Sequence, residues 1–237
     1  NAVNDWLVEQ TMARFSVPPD LFDADAMNAA ILLVEAVKAT GGDVSADAMI
    51  GAMEGMEFEG PKGTIYIRPE DHVAIQDMYI VTLTNVDDPE FKFFDLVETN
   101  RPNVPCLLPE ELQDRCGDLP IGALGDISQT EAPAVEEEVA VEEEMGTAVC
   151  TEPVKVGLIT DATGALAIYG THVLRSFPYG MEYATGAPAE LVSDTQWNFM
   201  LDECPIEVYV RDDQSTPDIP ATVARELIEV EGVDILV

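Results

Sequence analysis

Residues 154–186 read VKVGLITDATGALAIYGTHVLRSFPYGMEYATG, and this stretch decides the fold. Its first seven residues are mostly Val, Leu and Ile, which is typical of a buried β-strand. A turn that contains Gly164 follows, and apolar residues then recur at helical spacing from about residue 167 to residue 184. The stretch therefore predicts a strand that leads through a tight turn into a long helix.

The rest of this region repeats the same order. Residues 206–237 read IEVYVRDDQSTPDIPATVARELIEVEGVDILV. They predict a second strand at 206–210, a helix that opens at Ser215 and stops at Gly232, and a third strand at 233–237. Strand, helix, strand, helix and strand at these lengths predict an α/β fold with a parallel sheet.

The first part of the chain has a different pattern, in which helices precede strands. Apolar spacing and capping residues predict three helices, over residues 5–15, 22–38 and 45–53. Three antiparallel strands are predicted to follow, over residues 64–67, 75–81 and 92–97.

Charge limits the partners of the chain. It carries 46 Asp and Glu against 11 Lys and Arg, for a formal net charge of -35. Such a surface repels nucleic acid phosphates and anionic lipid headgroups, so we expect no nucleic acid partner. No apolar run approaches the ~20 residues that a membrane-spanning helix needs.

Residues 119–152 differ from both flanks, since they contain no Lys or Arg and include two runs of three Glu. Blocks of like charge repel and extend a chain, which predicts a flexible acidic linker. A short Ala/Glu helix is the alternative. The predicted organisation is thus a first portion at 1–118, the linker, and a βαβαβ portion at 153–237.

Four cysteines permit two disulfides in three connectivities. Cys106 and Cys116 flank a short stretch that contains proline and are placed to close a local loop, which leaves Cys150 and Cys204 to pair with each other. Two disulfides would imply an oxidising compartment. Four reduced, buried thiols are the alternative.

Together these segments resemble the Leu/Ile/Val-type substrate-binding proteins of ABC transporters, which are type I periplasmic binding proteins. Residues 154–186 and 206–237 resemble the amino-terminal part of that family, with its Thr-Gly turn and Tyr-Gly pair after the first strand. Residues 1–97 resemble the family's carboxyl-terminal part. The stretches that carry this second resemblance are FDADAMNAAILLVEAV (22–37), AMEGMEFEGPKGTIYI (52–67) and DHVAIQDMYIVTL (71–83).

The two parts stand in reversed order relative to the family, and the middle of the family's chain is absent. Two interpretations fit this arrangement. One is a circularly permuted or truncated binding protein, and the other is a chain that spans the junction of two consecutive binding-protein repeats.

The resemblance implies a type I binding-protein lobe with an antiparallel segment near the hinge, around residues 75–84. It also implies a ligand-binding loop beyond the first strand, where open parallel sheets bind their ligands. Thr163, Gly164, Ala167 and Tyr169 match the family's loop, and Phe22 matches an aromatic residue that closes the apolar side of the pocket. The alternative is that these residues only shape a tight turn.

No catalytic chemistry is predicted. The sequence lacks Gly-x-Ser-x-Gly, the phosphate-binding Gly-Lys-Ser/Thr and Cys-x-x-Cys. Asp212 and Asp213 follow a strand and are interpreted as turn and capping residues. His72 and His172 lie far apart in the sequence, so neither a metal site nor a cofactor is expected.

The function expected from the resemblance is that of an extracytoplasmic solute-binding protein for a branched-chain amino acid or amide, without enzymatic activity. Its partners would be that small ligand and the membrane permease of an ABC transporter. The alternative is a structural subunit of an extracellular filament, in which copies of the chain exchange segments.

Overall fold

The computed structural model describes residues 1–89, 91–122 and 147–237. These residues form two compact units. The first unit combines residues 1–53 with the described residues from 147 onward, and the second contains the described residues between 54 and 122. This division differs from the predicted one, because residues 54–118 are separate from the first three helices. Most of the predicted linker, at 123–146, lies outside the described residues.

Five α-helices lie in the first unit. They are α1 at Ala2–Phe15, α2 at Leu21–Ala39, α3 at Ala46–Met53, α4 at Ala167–Thr185 and α5 at Pro220–Glu226, which a π-helical turn at Leu227–Glu231 extends. Asp20 begins α2 with a capping box: the Asp20 side chain accepts a hydrogen bond from the Asp23 amide, and the Asp23 side chain accepts one from the Asp20 amide. Gly186 and Gly232 end α4 and the π turn in the left-handed conformation, which glycine adopts without strain.

Ten strands are present in the described residues. In chain order they are β1 Glu57–Gly60, β2 Gly63–Ile67, β3 Ala74–Ile75, β4 Met78–Leu83, β5 Phe94–Asn100, β6 Val154–Thr160, β7 Glu190–Ser193, β8 Gln196–Leu201, β9 Cys204–Asp212 and β10 Ile235–Leu236. The first unit contains one mixed sheet with the strand order β10-β6-β9-β8-β7. Strand β6 pairs in parallel with both β9 and β10, while β7 and β8 add an antiparallel hairpin at one edge.

The two faces of this sheet are packed differently. Val154, Val156 and Leu158 alternate along β6 and are all buried, as the period of two in a strand requires of one face. Gly157 lies on the other face, where a Cβ atom would be only 2.9 Å from Leu227 of the π turn. The missing side chain therefore lets α5 and its π turn approach the sheet.

Helices α2 and α4 pack directly on each other, although they come from opposite ends of the chain. A Cβ atom at Gly180 would lie 2.5 Å from the Met27 carbonyl oxygen and 2.7 Å from the Ala30 Cβ. Glycine at this position thus allows the helix backbones to cross closely. The two sequence segments that resemble opposite ends of the family therefore share one core within a single chain.

The second unit holds a three-stranded antiparallel sheet, β1-β2-β3, and a two-stranded antiparallel ribbon, β4-β5. A 3-10 helix spans Glu110–Cys116. Arg68 is buried at the end of β2. Its guanidinium forms an ion pair with Asp71 and donates a hydrogen bond of 2.6 Å to the Val104 carbonyl. This arginine therefore ties the sheet to the segment that precedes the 3-10 helix.

One disulfide lies in each unit. Cys106 is bonded to Cys116 across the 3-10 helix, and Cys150 is bonded to Cys204 at the start of β9. No helix among the described residues is both long enough and apolar enough to cross a membrane.

The predicted α/β class with a parallel sheet is confirmed. The predicted start of α5 at Ser215 is wrong, because Gln214 and Ser215 have positive φ and continue the turn, and the helix begins at Pro220. The predicted strand at 75–81 is divided between β3 and β4, which belong to different sheets. The β7-β8 hairpin was not predicted.

Gly180→Ala should destabilise the first unit by about 1–3 kcal/mol, since the added methyl group overpacks the α2–α4 contact. Gly51→Ala is the matched control: it is also helical but has no atom within 4 Å of its Cβ position, so alanine should stabilise by about 0.5–1 kcal/mol. Urea unfolding followed by far-UV circular dichroism measures both. Equal effects of the two substitutions would contradict the close crossing.

Candidate functional site

The candidate site lies where the parallel strands β6 and β9 end side by side. Thr160 and Asp212 are paired in the last rung of this ladder. The loop after β6 and the loop after β9 therefore meet at the carboxyl edge of the sheet, which is where open α/β sheets bind ligands.

Asp212 organises the loop after β6. Its carboxylate accepts hydrogen bonds from the amides of Ala162 at 2.9 Å, Thr163 at 3.1 Å and Gln214 at 2.9 Å, and from the Thr163 hydroxyl. The hydrogen bond from that hydroxyl is the main cause that lowers the pKa of Asp212, so the side chain stays ionised. Thr163 was predicted to lie in the ligand-binding loop, but its amide and hydroxyl both donate their hydrogen bonds to Asp212.

Gly164 brings the two loops into contact. Its φ is +124°, and a Cβ atom would lie 2.5 Å from the Gln214 carbonyl oxygen and 2.8 Å from the Ser215 hydroxyl oxygen. That hydroxyl in turn accepts from the Leu166 amide at 2.9 Å. The Thr-Gly turn therefore has a structural role, which is to hold the loop after β6 against the loop after β9. Ligand binding would be an additional role.

Two acidic side chains beside this turn, Asp161 and Asp213, have pKa values that are shifted in opposite directions. Hydrogen bonds from Ser215 and Asp213 lower the pKa of Asp161, whereas burial and the neighbouring Asp161 raise the pKa of Asp213. Adjacent carboxyl groups separate their titrations in this way because both cannot ionise cheaply at once. The edge of the site is therefore negatively charged.

Exposed backbone donors remain at the tip of the loop. Within the described residues, the amides of Gly164 and Ala165 have no hydrogen-bond acceptor, and both residues are exposed. Ala167 follows as the first residue of α4. Amides near a helix amino terminus attract anions, because their dipoles align with that of the helix.

The glycine of the Tyr169-Gly170 pair is required by close packing. A Cβ atom at this position would overlap the Asp161 carbonyl oxygen, at 1.8 Å. Helix α4 can therefore lie directly against the end of β6 only with glycine here. The preceding residue, Tyr169, remains exposed beside the loop.

Phe22 and Tyr169 form an aromatic pair, with ring centroids 4.6 Å apart and planes tilted by 57°. Phe22 lies in the first turn of α2 and Tyr169 in the first turn of α4, and both rings are about 40% exposed. The structure thus brings Phe22 next to the loop, 147 positions away in sequence. The two rings form an apolar wall beside the exposed amides.

A buried carboxylate holds this wall in place. Asp23 is fully buried and accepts from Arg175 Nε at 2.6 Å and from Ser176 Oγ at 2.5 Å, with a second hydrogen bond from Arg175. Burial raises the pKa of Asp23, but the hydrogen bonds from Arg175 and Ser176, the Asp20 amide and His172 together lower it below the ordinary value. Asp23 therefore joins α2 to α4 as a carboxylate.

His172 completes this network, with Nδ1 2.9 Å from Asp23 and Nε2 2.9 Å from Asp20. These three side chains are close enough to share a metal ion. However, the Arg175 guanidinium already occupies the Asp23 carboxylate, and a cation there would compete with it. The group is better described as an ion-pair network that sequence analysis missed, because no local pattern links its members.

A separate cavity of about 470 Å³ lies at the opposite end of β6. Residues 40–45 and 149–154 line it, near the Cys150–Cys204 bond. It contains none of the residues predicted to bind a ligand. Its position at the amino end of β6 also differs from the carboxyl edge where this class of sheet binds ligands.

The parallel sheet and the loop at its carboxyl edge have the arrangement in which open α/β sheets bind ligands. The chain belongs to the periplasmic binding protein family, whose sequence model matches residues 1–88 and 153–237. This is a family of binding proteins, and the predicted resemblance is confirmed.

Two solved structures from Rhodopseudomonas palustris are similar to this chain. One, described as an ABC-type branched-chain amino acid transporter, is 39% identical over 43% of this chain and 27% of its own, with a TM-score of 0.36. The other, described as an ABC transporter, is 44% identical over 37% of this chain and 26% of its own, with a TM-score of 0.31. The chain thus spans about a quarter of their length. No curated protein matches it.

Asp23→Asn should lower stability at neutral pH by about 3–5 kcal/mol, because it leaves the Arg175 charge buried without its partner. The pKa of Asp23 is lower in the folded chain than in the unfolded chain, so its contribution is complete above about pH 4 and is lost as the pH falls. The difference between wild type and variant should therefore shrink on acidification.

Urea unfolding at pH 7 and at successively lower pH, in a buffer of fixed high ionic strength, measures this difference. Asp47→Asn, in the exposed first turn of α3, is the control and should have little effect. A constant difference between wild type and Asp23→Asn at every pH would show that the network does not titrate through Asp23.

Proposed function

We propose that this chain forms a ligand-holding lobe of an extracytoplasmic receptor for a small amino acid or amide. The observation that carries the proposal is the pairing of Phe22 with Tyr169 beside a loop that exposes the Gly164 and Ala165 amides. An apolar wall and free donors at the carboxyl edge of a parallel sheet are what an amphipathic small ligand needs.

The charges at the site favour a zwitterion. The exposed amides suit a carboxylate, while the acidic groups beside the loop, Asp161 and Asp212, suit an ammonium group. A simple anion would gain only the first interaction and would be repelled by the second set of groups. A free amino acid carries both charges and would gain both.

The aromatic wall favours an aliphatic side chain on the ligand. Phe22 and Tyr169 present ring surface without a charged group, and Leu166 and Ile168 are exposed nearby in sequence. Burying one aliphatic side chain against such a surface contributes about 1.5–3 kcal/mol. This supports a branched-chain amino acid over a polar one.

The wider setting follows from the family and the disulfides. Disulfides persist in oxidising compartments, which supports an extracytoplasmic location. In line with the resemblance to ABC-transporter binding proteins, closure of two lobes around the ligand would then present it to a membrane permease. In this scheme the protein moves its ligand and carries out no chemistry.

The filament alternative has less support. Its premise is that segments are exchanged between copies, whereas α2 and α4 pack against each other within one chain through Gly180. Thr163, Gly164, Ala167, Tyr169 and Phe22 remain the proposed ligand-binding residues. Thr163 acts through the loop conformation, and Gly164 acts through both that conformation and its exposed amide.

Binding should be detected by isothermal titration calorimetry against Leu, Ile, Val, Asp, Lys and acetamide at millimolar concentrations. The aliphatic amino acids should bind and the charged ones should not. Phe22→Ala and Tyr169→Ala should each weaken binding by at least about tenfold, which corresponds to the loss of one apolar contact.

Tyr183→Ala is the matched control, since Tyr183 is an exposed tyrosine of α4 whose ring contacts Trp6 edge-to-face and not Phe22. It should leave the affinity unchanged. The absence of binding by every compound at 10 mM, by a chain shown to be folded, would refute the proposed function.

A further inference from the structure

His172 lies next to the aromatic wall and has more partners than one protonation state can serve. Its Nε2 atom is 2.9 Å from the Asp20 carboxylate. Its Nδ1 atom is 2.9 Å from the Asp23 carboxylate and 2.7 Å from the Arg175 guanidinium. A guanidinium nitrogen only donates and a carboxylate only accepts. A hydrogen on Nδ1 therefore decides which of these two neighbours the ring can bind.

Each protonation state of His172 has its own set of contacts. In the neutral ring with its hydrogen on Nε2, that nitrogen donates to Asp20, and Nδ1 accepts from Arg175 of the same helix, α4. In the imidazolium, Nδ1 also carries a hydrogen and donates to Asp23, which is fully buried on α2. Protonation thus exchanges a contact within α4 for a second contact between α4 and α2.

The charges of these side chains balance only when His172 is protonated. The hydrogen bond to Asp23 raises the pKa of Arg175, while the pKa of Asp23 is lowered despite its burial, so both stay charged near neutral pH. With Asp20 as a second carboxylate, a neutral imidazole leaves one negative charge unbalanced. Apart from Asp20, these side chains are at most 15% exposed. Histidine is the side chain whose charge ordinarily changes between pH 5 and 8.

The other charged groups on this side of α4 lie beyond Arg175. Tyr179 faces Arg175, and the Arg14 guanidinium of α1 lies 4.6 Å from the centre of the Tyr179 ring and pairs with Glu182. Burial raises the pKa of Tyr179, and the hydrogen bond to Glu182 raises the pKa of Arg14. Neither group therefore changes its charge near neutral pH, which leaves His172 to do so.

The exchanged contact adjoins Phe22 both in sequence and in space. Phe22 stands between Asp20 and Asp23, and its amide donates to the Asp20 carboxylate at 2.8 Å. Its ring centroid is 6.4 Å from that of His172, with the planes tilted by 33°. A second hydrogen bond from His172 to the first turn of α2 therefore restrains the Phe22 ring beside Tyr169.

We infer that His172 is a proton-binding site that sets how firmly the first turn of α2 is held against α4, and with it the aromatic wall. In the protonated state the ring bonds both Asp20 and Asp23, and the wall is ordered. In the neutral state the ring keeps only one of these two bonds, and the wall is looser.

The consequence for the ligand rests on the proposed function. A wall that is already ordered costs less entropy when a ligand binds against it. An aliphatic amino acid should therefore bind more tightly to the protonated form, and by linkage its binding should take up protons.

Two-dimensional NMR of the ligand-free chain between pH 5.5 and 8.5, at constant ionic strength, tests the inference. The chain has two histidines, so the His72→Gln variant assigns the ring nitrogens of His172. We expect both nitrogens to carry hydrogens at the lower pH and only Nε2 at the higher pH. The amide signal of Phe22 should shift with the same midpoint, because this amide donates to the carboxylate that His172 also binds.

His172→Gln should abolish the pH-dependent shift of the Phe22 amide. His72→Gln is the matched control and should leave the shift unchanged, since His72 belongs to the second unit and pairs with Glu54. Circular dichroism shows whether each variant is folded, and the comparison of the two midpoints needs only the wild-type chain. The inference is overturned by a His172 ring whose protonation state is constant over this range, by a Phe22 signal that does not follow it, or by a shift that persists in His172→Gln.

Calorimetric titration with leucine at pH 5.5 and 8.5 tests the consequence for the ligand. The wild-type affinity should be about threefold or more higher at pH 5.5, with proton uptake detected in buffers of different ionisation enthalpy. His172→Gln should bind equally at both pH values. Equal wild-type affinities would overturn the link to the ligand. Absence of leucine binding at either pH would count against the proposed function alone, because the NMR titration involves no ligand.

Discussion

The buried Asp23 carboxylate is the interaction on which the first unit depends. It is fully enclosed, and Arg175 and Ser176 of α4 neutralise and saturate it. A charged group in this position is tolerated only because its partners reach it, and removing one of them would leave an uncompensated charge in the interior. The contact therefore fixes which faces of α2 and α4 meet, in addition to the close approach that Gly180 permits.

The same network connects the core to the candidate site. Asp20 caps α2 and lies within ion-pair distance of His172, so the first turn of α2 is held against α4. Phe22 lies in that turn, and its ring consequently meets Tyr169. A buried ion pair thus fixes the positions of the two rings of the aromatic wall. The conformation of the loop beside them depends instead on Asp212 and Gly164.

The sequence predicted much of this arrangement where the information is local. Strand β6 and helix α4 were predicted from the spacing of their apolar residues, and the loop at Gly164 was predicted from its turn-forming residues. The β7-β8 hairpin was missed although Trp197, Phe199 and Leu201 alternate in the manner of a half-buried strand. The Asp23–Arg175 pair was beyond local prediction, since 152 positions separate its members and Asp23 reads locally as an ordinary first-turn acid of a helix. Likewise, only the observed register shows that Val81 pairs with Leu96 and Leu83 with Phe94 across the ribbon.

Because basic residues are scarce, the places where they form ion pairs matter for the stability of this chain. With 46 acidic side chains and 11 basic ones, most carboxylates cannot find a cationic partner, and the excess charge opposes compaction. Several of the cations lie at junctions between segments that are distant in sequence. Four examples are Arg175 with Asp23, Arg14 with Glu182, Lys38 with the Ala184 carbonyl and Lys155 with the Glu231 carbonyl. Three of these four contacts hold α4 against α1 or α2. The helix that carries Tyr169 is therefore held to its neighbours by several charge-assisted hydrogen bonds. Salt that screens the general repulsion would weaken the enclosed Asp23–Arg175 pair much less, and this pair holds the helix that carries Tyr169.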